Sequence, residues 1–350
     1  MRGEVKTRRN EVQREITEER ELLDERGRIT LEGFARKPYW RYRRSRIRAP
    51  WWRIKEWDYY AVIDQERGAG VTLTASDLGY AGLFALCFVD IRQGFYRQID
   101  SLKLLTRGRT GLAEEADAPH RIVFEDRRLS LQISREGEMR QLRFAGEGGW
   151  IEGEISLRQP ADQERMVIAT SWAEERTAFY YNQKINCMPA EGWLRVNGEE
   201  LRFYSRQSFG VLDWGRGRWT YRNRWYWASA SGTLDGVPFG FNLGYGFSDR
   251  SPASENMLFY AGTTHKLAEV SFHYDRHDPL QPWRIESSDG RCELEFRPSL
   301  DRAAAFNLLL VKSNQQQCFG WYAGTVILDD GTELAVEGLP GFIEDVYNRW

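Results

Sequence analysis

The 350-residue sequence predicts an all-β fold: two tandem antiparallel β-barrel halves behind an irregular N-terminal arm. Three observations carry that prediction. First, apolar and polar residues alternate over strand-length runs. Leu129, Leu131 and Ile133 alternate with Ser130, Gln132 and Ser134, and Cys292, Leu294 and Phe296 with Glu293, Glu295 and Arg297. This is the pattern of a strand with one dry and one wet face. Second, Asn197-Gly198, Asp235-Gly236, Asp289-Gly290 and Asp330-Gly331 stand between such runs, and these dipeptides tolerate the positive φ of tight hairpins. No helical stretch of about 10–15 residues separates the strands, which speaks for meanders and against a doubly wound α/β sheet. Third, the chain echoes itself. EWDYYAVI from Glu56 leads to DLGYAG, and RWYWASAS from Arg224 leads to NLGYGF. Trp57 then matches Trp225, Tyr59 matches Trp227, and Leu78-Gly79-Tyr80 matches Leu243-Gly244-Tyr245. The echo reads as a duplication into two stacked β units, and closing each into a barrel removes exposed strand edges.

In chain order, residues 1–52 form the charged arm and its basic-aromatic connector. Val12, Ile16, Leu22 and Leu23 make a weak helical stripe, while LLDERGRITL reads as strand, turn, strand around Gly27; both readings stay open. Residues 36–55 hold nine Arg or Lys and no acid, interleaved with Tyr39, Trp40, Tyr42, Trp51 and Trp52. Alone, that is a pattern for phosphate contact and base stacking. Residues 11–32 hold eight acids that can neutralise it. Residues 53–195 are assigned to the first β-barrel half and 196–350 to the second.

Composition narrows the function classes. With 14 Trp, 16 Tyr and 18 Phe, the chain can fill two cores, and the same side chains line pockets for apolar ligands. A net charge of -2 argues against a dedicated nucleic-acid binder. Cys87, Cys187, Cys292 and Cys318 lack metal or redox spacing and suit a reducing compartment. The N-terminus has no secretory apolar segment, and no run is as long as a membrane span; the cytoplasm is expected. His273 and His277 are four apart but run into Pro279 without a third ligand. No nucleophile elbow, phosphate loop or complete dinucleotide motif is present. No metal and no cofactor are therefore expected, and the oligomeric state stays open.

The densest candidate site is Phe209–Gly232, FGVLDWGRGRWTYRNRWYWASASG. Protonating a carbon–carbon double bond needs an acid that stays protonated at neutral pH. A carboxyl walled in by tryptophans meets that need through lost solvation, and aromatic faces stabilise the carbocation that follows. Asp213 is the candidate acid. Arg216, Trp219, Tyr221, Trp225 and Trp227 are candidate ligand contacts, with Trp225 and Trp227 on one strand face. The alternative is an ion network in which Asp213 pairs with Arg216 or Arg218. Glu255, entering the apolar run MLFYAG, is a second candidate acid or base. Asn242, Tyr245 and Tyr80 from the two LGY echoes are candidate pocket lining; the competing reading for those echoes is a strand-end turn.

The strings RIKEWDYYAV, SDLGYAGL, FGFNLGYGFSD, SENMLFYAG, SSDGR, LDDGT and the terminal NRW resemble, in order and over nearly the whole chain from residue 20, a bacterial family known as domain of unknown function 2804. That family is distantly similar to tandem lipocalin-like proteins, among them carotenoid hydratases, tocopherol cyclases and fungal Diels–Alderases. The resemblance implies two lipocalin-like barrels. It also implies that LDWGRGRW, with Asp213 first and Gly217 four residues on, is the counterpart of an Asp-containing motif in that group, although the intervening residues depart from the relatives' pattern. The leading expectation is a protein binding a hydrophobic or amphipathic small molecule, such as an isoprenoid, polyene or acyl chain. The alternative is a cofactor-free lyase or isomerase on the same ligands, a hydratase, isomerase or cyclase. A lesser one is contact with nucleic acid or an anionic surface through residues 36–55, with peripheral membrane contact left open. Any single working site is expected in or near the second half.

Overall fold

The computed structural model describes residues 13–308 and 311–349; Val12 of the arm's apolar stripe lies outside the described residues. The first sheet opens with a four-strand meander, Ile54–Asp64, Ala69–Asp77, Ala81–Asp90 and Phe95–Leu104. It continues through His120–Glu125, Leu129–Glu136, Met139–Gly146, Ile151–Arg158, Phe179–Val196 and Ser208–Arg218, and the last strand returns to pair with the first. The second sheet repeats that plan. Arg222–Leu234, Val237–Tyr245, Met257–Tyr260 and Thr263–Lys266 form its meander. Val270–His273, Trp283–Ser287, Cys292–Leu308, Val311–Ile327 and Glu333–Arg349 follow, and again the last strand pairs with the first. Among the described residues there is no α-helix, only short 3-10 turns.

Each sheet curls around its own filled core. Tyr60, Phe84, Phe179, Leu212 and Trp214 are buried in the first, and Phe239, Phe241, Trp283, Phe296 and Tyr322 in the second. The alternation anticipated for Leu129, Leu131 and Ile133 appears as buried and half-buried residues in turn. The hairpin dipeptides behave as their chemistry demands: Asn197 and Gly198 take φ of 50° and 86°, and Asp235 and Gly236 take 51° and 78°.

The crossover between sheets lies at residues 219–221, not at 195/196. Strands Glu199–Phe203 and Ser208–Arg218 hydrogen-bond to Phe179–Val196, and the latter also to Ile54–Asp64. The turn at 197–198 is thus a hairpin inside the first sheet, and residues 204–207 only interrupt two strands that run end to end along Phe179–Val196. Asp213 and Arg216 consequently belong to the first half.

Among its described residues, from 13 on, the arm has no α-helix. Leu22, Leu23, Trp40 and Tyr42 insert into the first core, Leu23 bridges Ile29 around Gly27 (φ 77°), and Gly33–Ala35 pairs with Met166–Ser171. Three of the connector's cations pair with the arm's own acids, Arg36–Glu15 at 3.0 Å, Arg43–Glu21 at 3.7 Å and Arg41–Glu19. Burial of Trp40 and Tyr42 removes two of the rings that would stack on bases.

Candidate functional site between the two halves

The opening strands of the two sheets face each other. Alternation sends Tyr60 and Val62 into the first core, so Trp57, Tyr59, Ala61 and Ile63 point outward toward the other half. Trp225 and Trp227 do the same from the second sheet. The echoed pair meets there: the rings of Tyr59 and Trp227 lie edge-on at 5.8 Å, with Phe342 packed against both.

Strand register places an acid beside each echoed ring. In the first half Asp213 lies opposite Tyr59 on one side and Lys184 on the other. In the second, Glu344 lies opposite Trp227 and Gln317. Asp213 and Glu344 are thus equivalent positions of the duplicated plan. Asp213 binds Lys184 Nζ at 3.0 Å through Oδ2 and accepts from Asn182 Nδ2 at 2.5 Å through Oδ1. The Lys184 ammonium also sits 3.8 Å over the Trp227 ring. Glu344 accepts from Trp225 Nε1 at 2.8 Å and Gln317 Nε2 at 3.0 Å. Trp227 Nε1 donates to Asn242 Oδ1, and Asn242 Nδ2 donates to the Glu255 carbonyl. The Glu255 carboxyl accepts from Tyr180 Oη at 3.3 Å. It lies where a Cβ on Gly244 would come within 2.0 Å of Oε1, so only glycine leaves room for it.

Three acids and one ammonium therefore share a buried seam. Burial is the first cause of the shifts at Glu344 and Glu255. It raises the Glu344 carboxyl from 4.5 to about 7, against the lowering pull of the Trp225 indole and Lys184. Burial likewise raises Glu255, opposed by Lys184 and reinforced by Asp213, and holds the Tyr180 hydroxyl well above its ordinary range, reinforced by Glu255. Beside the seam, between Val211, Ser229, Ser231 and Phe342, is a cavity of about 10 Å³, room for one water. The Asn182 Oδ1 atom is buried without a hydrogen-bond partner among the described residues. Over one end of the seam stands an aromatic cluster centred on Trp219, whose ring lies 5.3–5.7 Å from Trp57, Trp172, Tyr180, Trp225 and Phe247. Trp57, Trp225 and Phe247 are only half-buried, so this end, hereafter the mouth, is the part of the seam nearest solvent.

Of the residues singled out in the sequence, the structure brings together Asp213, Glu255, Trp225, Trp227 and Asn242, with Trp219 at the mouth. Four fall elsewhere. Arg216 points into the first core, three residues and one strand face away from Asp213; it pairs with Asp58 at 3.0 Å and lies 4.0 Å over Trp214. Arg218 pairs with Glu175, so the ion network expected for Asp213 forms with Lys184 instead. Tyr221 is exposed in the crossover. Tyr245 faces the second core, stacked on Tyr226 at 4.7 Å. Tyr80 covers the Lys55 ammonium at 4.4 Å in a turn ending the first meander's second strand. The two LGY runs are not equivalent: Gly79 takes φ 83° in that turn, while Gly244 continues a strand. Gly215 lies in a regular strand, and a Cβ there would meet the Trp57 ring at 2.1 Å.

Residues missed by the sequence reading are Glu344, Lys184, Asn182, Gln317 and Tyr180. One signal was present. Asn182, Lys184 and Asn186 alternate along Phe179–Val196, but a polar stripe with period two reads as a wet face. Here the second half covers it. Asn186 Nδ2 donates to Ser229 Oγ and the Phe241 carbonyl, at a bulge where Cys187 takes φ 57°, and so stitches the halves together.

The family model described as Domain of unknown function (DUF2804) matches residues 13–350. The chain belongs to this family. No curated protein matches the sequence. Among solved structures the DUF2804 chain is similar to CghA (TM-score 0.51, 11% identity, 85% of this chain and 88% of that one). It is also similar to kievitone hydratase from Nectria haematococca (TM-score 0.51, 11% identity, 85% and 88%) and to a protein assigned as AttH from Nitrosomonas europaea (TM-score 0.54, 13% identity, 85% and 92%). At such identities the likeness is one of fold, the tandem lipocalin-like barrel.

Proposed function

We infer that this DUF2804 protein is a cofactor-free enzyme of the lyase or isomerase type, protonating an unsaturated, largely apolar small molecule at the seam between its halves. The observation that carries this is Glu344, a buried carboxyl held near 7 beside two tryptophan rings and an ammonium. Such a group is a proton donor at neutral pH. Its proton passes to one carbon of a double bond, and the positive charge left on the neighbouring carbon faces Trp225 and Trp227. Water then adds to that carbon and gives up a proton to the Glu344 carboxylate, which is hydration; loss of a proton from an adjacent carbon to the same carboxylate is isomerisation. Lys184 and Asp213 balance charge along the seam. Both barrel interiors are filled with side chains, so the substrate enters by parting the half-buried rings of the mouth rather than occupying a barrel. The fold supports the reading, since one similar structure is named for hydration and CghA is also solved with Sch210972. The four free, buried cysteines fit the reducing cytoplasm expected for it.

The test is hydrogen exchange in heavy water. The purified chain is incubated in D2O with a panel of isoprenoid and polyene alcohols, and deuterium uptake is read by mass spectrometry. At least one compound should gain deuterium, and Glu344→Gln should slow that gain by about a hundredfold or more. Uptake at an undiminished rate in the variant removes Glu344 as the acid. The aromatic mouth equally suits plain binding: compounds retained by the protein without any uptake would leave that second reading in place.

A further inference from the structure

We propose that the rim of the first half beside the aromatic mouth docks on an anionic lipid bilayer. Three loops meet at this end of the barrel. The Trp51–Arg53 turn abuts Gly79, where an added Cβ would come within 2.3 Å of the Trp51 carbonyl. The Leu105 and Arg107 amides donate to the carbonyls of Tyr80 and Gly79 at 2.8 and 2.9 Å. Arg53 Nη2 donates to the Trp219 carbonyl at 3.0 Å, which joins the rim to the mouth.

This rim exposes what a soluble surface usually hides. Trp52 is 49% exposed, Leu102 63%, Leu104 75% and Leu105 58%. Leu105 and Arg107 hold left-handed backbone, φ 55° and 50°, a cost that non-glycine residues bear only where surrounding structure imposes it. Lys103, Arg107 and Arg109 are exposed among these leucines, and none of them is in an ion pair among the described residues. Arg107 lies 4.8 Å over the Trp51 ring. Leucines at the end of the strand Phe95–Leu104 and just after it, with a tryptophan on the neighbouring Trp51–Arg53 turn and unpaired cations between them, match the two layers of an anionic membrane surface, acyl chains below and headgroups above. A single-stranded nucleic acid would want stacked rings where leucines stand. A second copy would bring like charges together. The proposal does not depend on the acid chemistry of Glu344. It adds a route by which a bilayer-dissolved substrate reaches the mouth.

Vesicle co-sedimentation of the full chain tests it, comparing phosphatidylcholine containing about one-third phosphatidylglycerol with phosphatidylcholine alone. The expected result is at least roughly tenfold tighter association with the anionic vesicles, weakening as salt is raised. Leu104→Ser with Leu105→Ser should lower that association by about tenfold or more, and Arg107→Gln by about fivefold. All three side chains are exposed, and circular dichroism checks that the variants fold. Failure of the native chain to sediment with anionic vesicles overturns the proposal, as does unchanged sedimentation of both variants. So does a dimer, or retention of a single-stranded RNA probe, that the leucine substitutions abolish in place of vesicle binding.

Discussion

Replacing Glu344 by Gln should make the protein more stable, and by an amount that grows with pH. Folding moves this carboxyl from an ordinary 4.5 to about 7, so the folded state prefers it protonated. Below 4.5 the group is protonated in folded and unfolded chains alike, and its contribution is fully favourable. That stability is lost as pH rises from 4.5 through about 7, and above this the adverse contribution levels off near ~3 kcal/mol, the free energy of such a displacement. Gln keeps the shape and still accepts from Trp225 Nε1. Its new amide would face Gln317 Nε2, but Gln317 Oε1 is buried without a partner among the described residues. Turning the Gln317 amide over restores a donor–acceptor match at little cost. Urea unfolding of both proteins from about pH 6 to about pH 8.5 is the assay, because every other titrating group cancels in the difference. The variant's advantage should rise by about 1 kcal/mol across that window. Parallel stability curves would refute the reasoning, since they would mean that Glu344 does not titrate there.

Asp213→Asn should destabilise the fold by about 3 kcal/mol in urea unfolding, because it strands the buried Lys184 ammonium; loss of turnover in that variant alone would therefore not assign chemistry to Asp213. Trp225→Phe removes an indole that holds Glu344 down, so the pH range over which the Glu344→Gln difference develops should shift upward when both proteins compared also carry Trp225→Phe. Gly215→Ala should cost about 1–3 kcal/mol and displace the Trp57 indole, seen as a change in tryptophan fluorescence. Arg140→Met should cost about 3 kcal/mol or more by thermal or urea unfolding, since Arg140 Nη2 and Nε hold Gln159 Oε1 at 2.6 and 3.0 Å inside the first barrel.

Much of the fold was legible because local physics wrote it. Alternation in 129–134 and 292–297 marked strands, and Asn197-Gly198 and Asp235-Gly236 marked hairpins, each within a few residues of chain. The Trp57/Trp225 and Tyr59/Trp227 echo went further and pointed at the two strands that meet across the seam. At the seam, neighbours in sequence are not neighbours in space. Asp213, Arg216 and Trp214 are close along the chain, yet a strand sends Asp213 to one face and the other two to the opposite one. Glu344 and Asp345 stand side by side in a strand buried on both faces, so alternation does not say which looks toward Trp227.

The sequence by itself determined the strands, the turns, the duplicated plan and the aromatic residues that line the junction, since these follow from side-chain chemistry and short-range backbone preference. Only the tertiary structure decided that Asp213, Glu255, Glu344 and Lys184 lie together between the barrels. The pairing of each half's first strand with its last joins residues more than a hundred positions apart, such as Trp227 with Glu344 and Tyr59 with Asp213. Docking the halves then turns the polar row Asn182, Lys184 and Asn186 from an apparently wet face into a buried seam. Burial is a property of what covers a face, and here the cover comes from the other half of the chain.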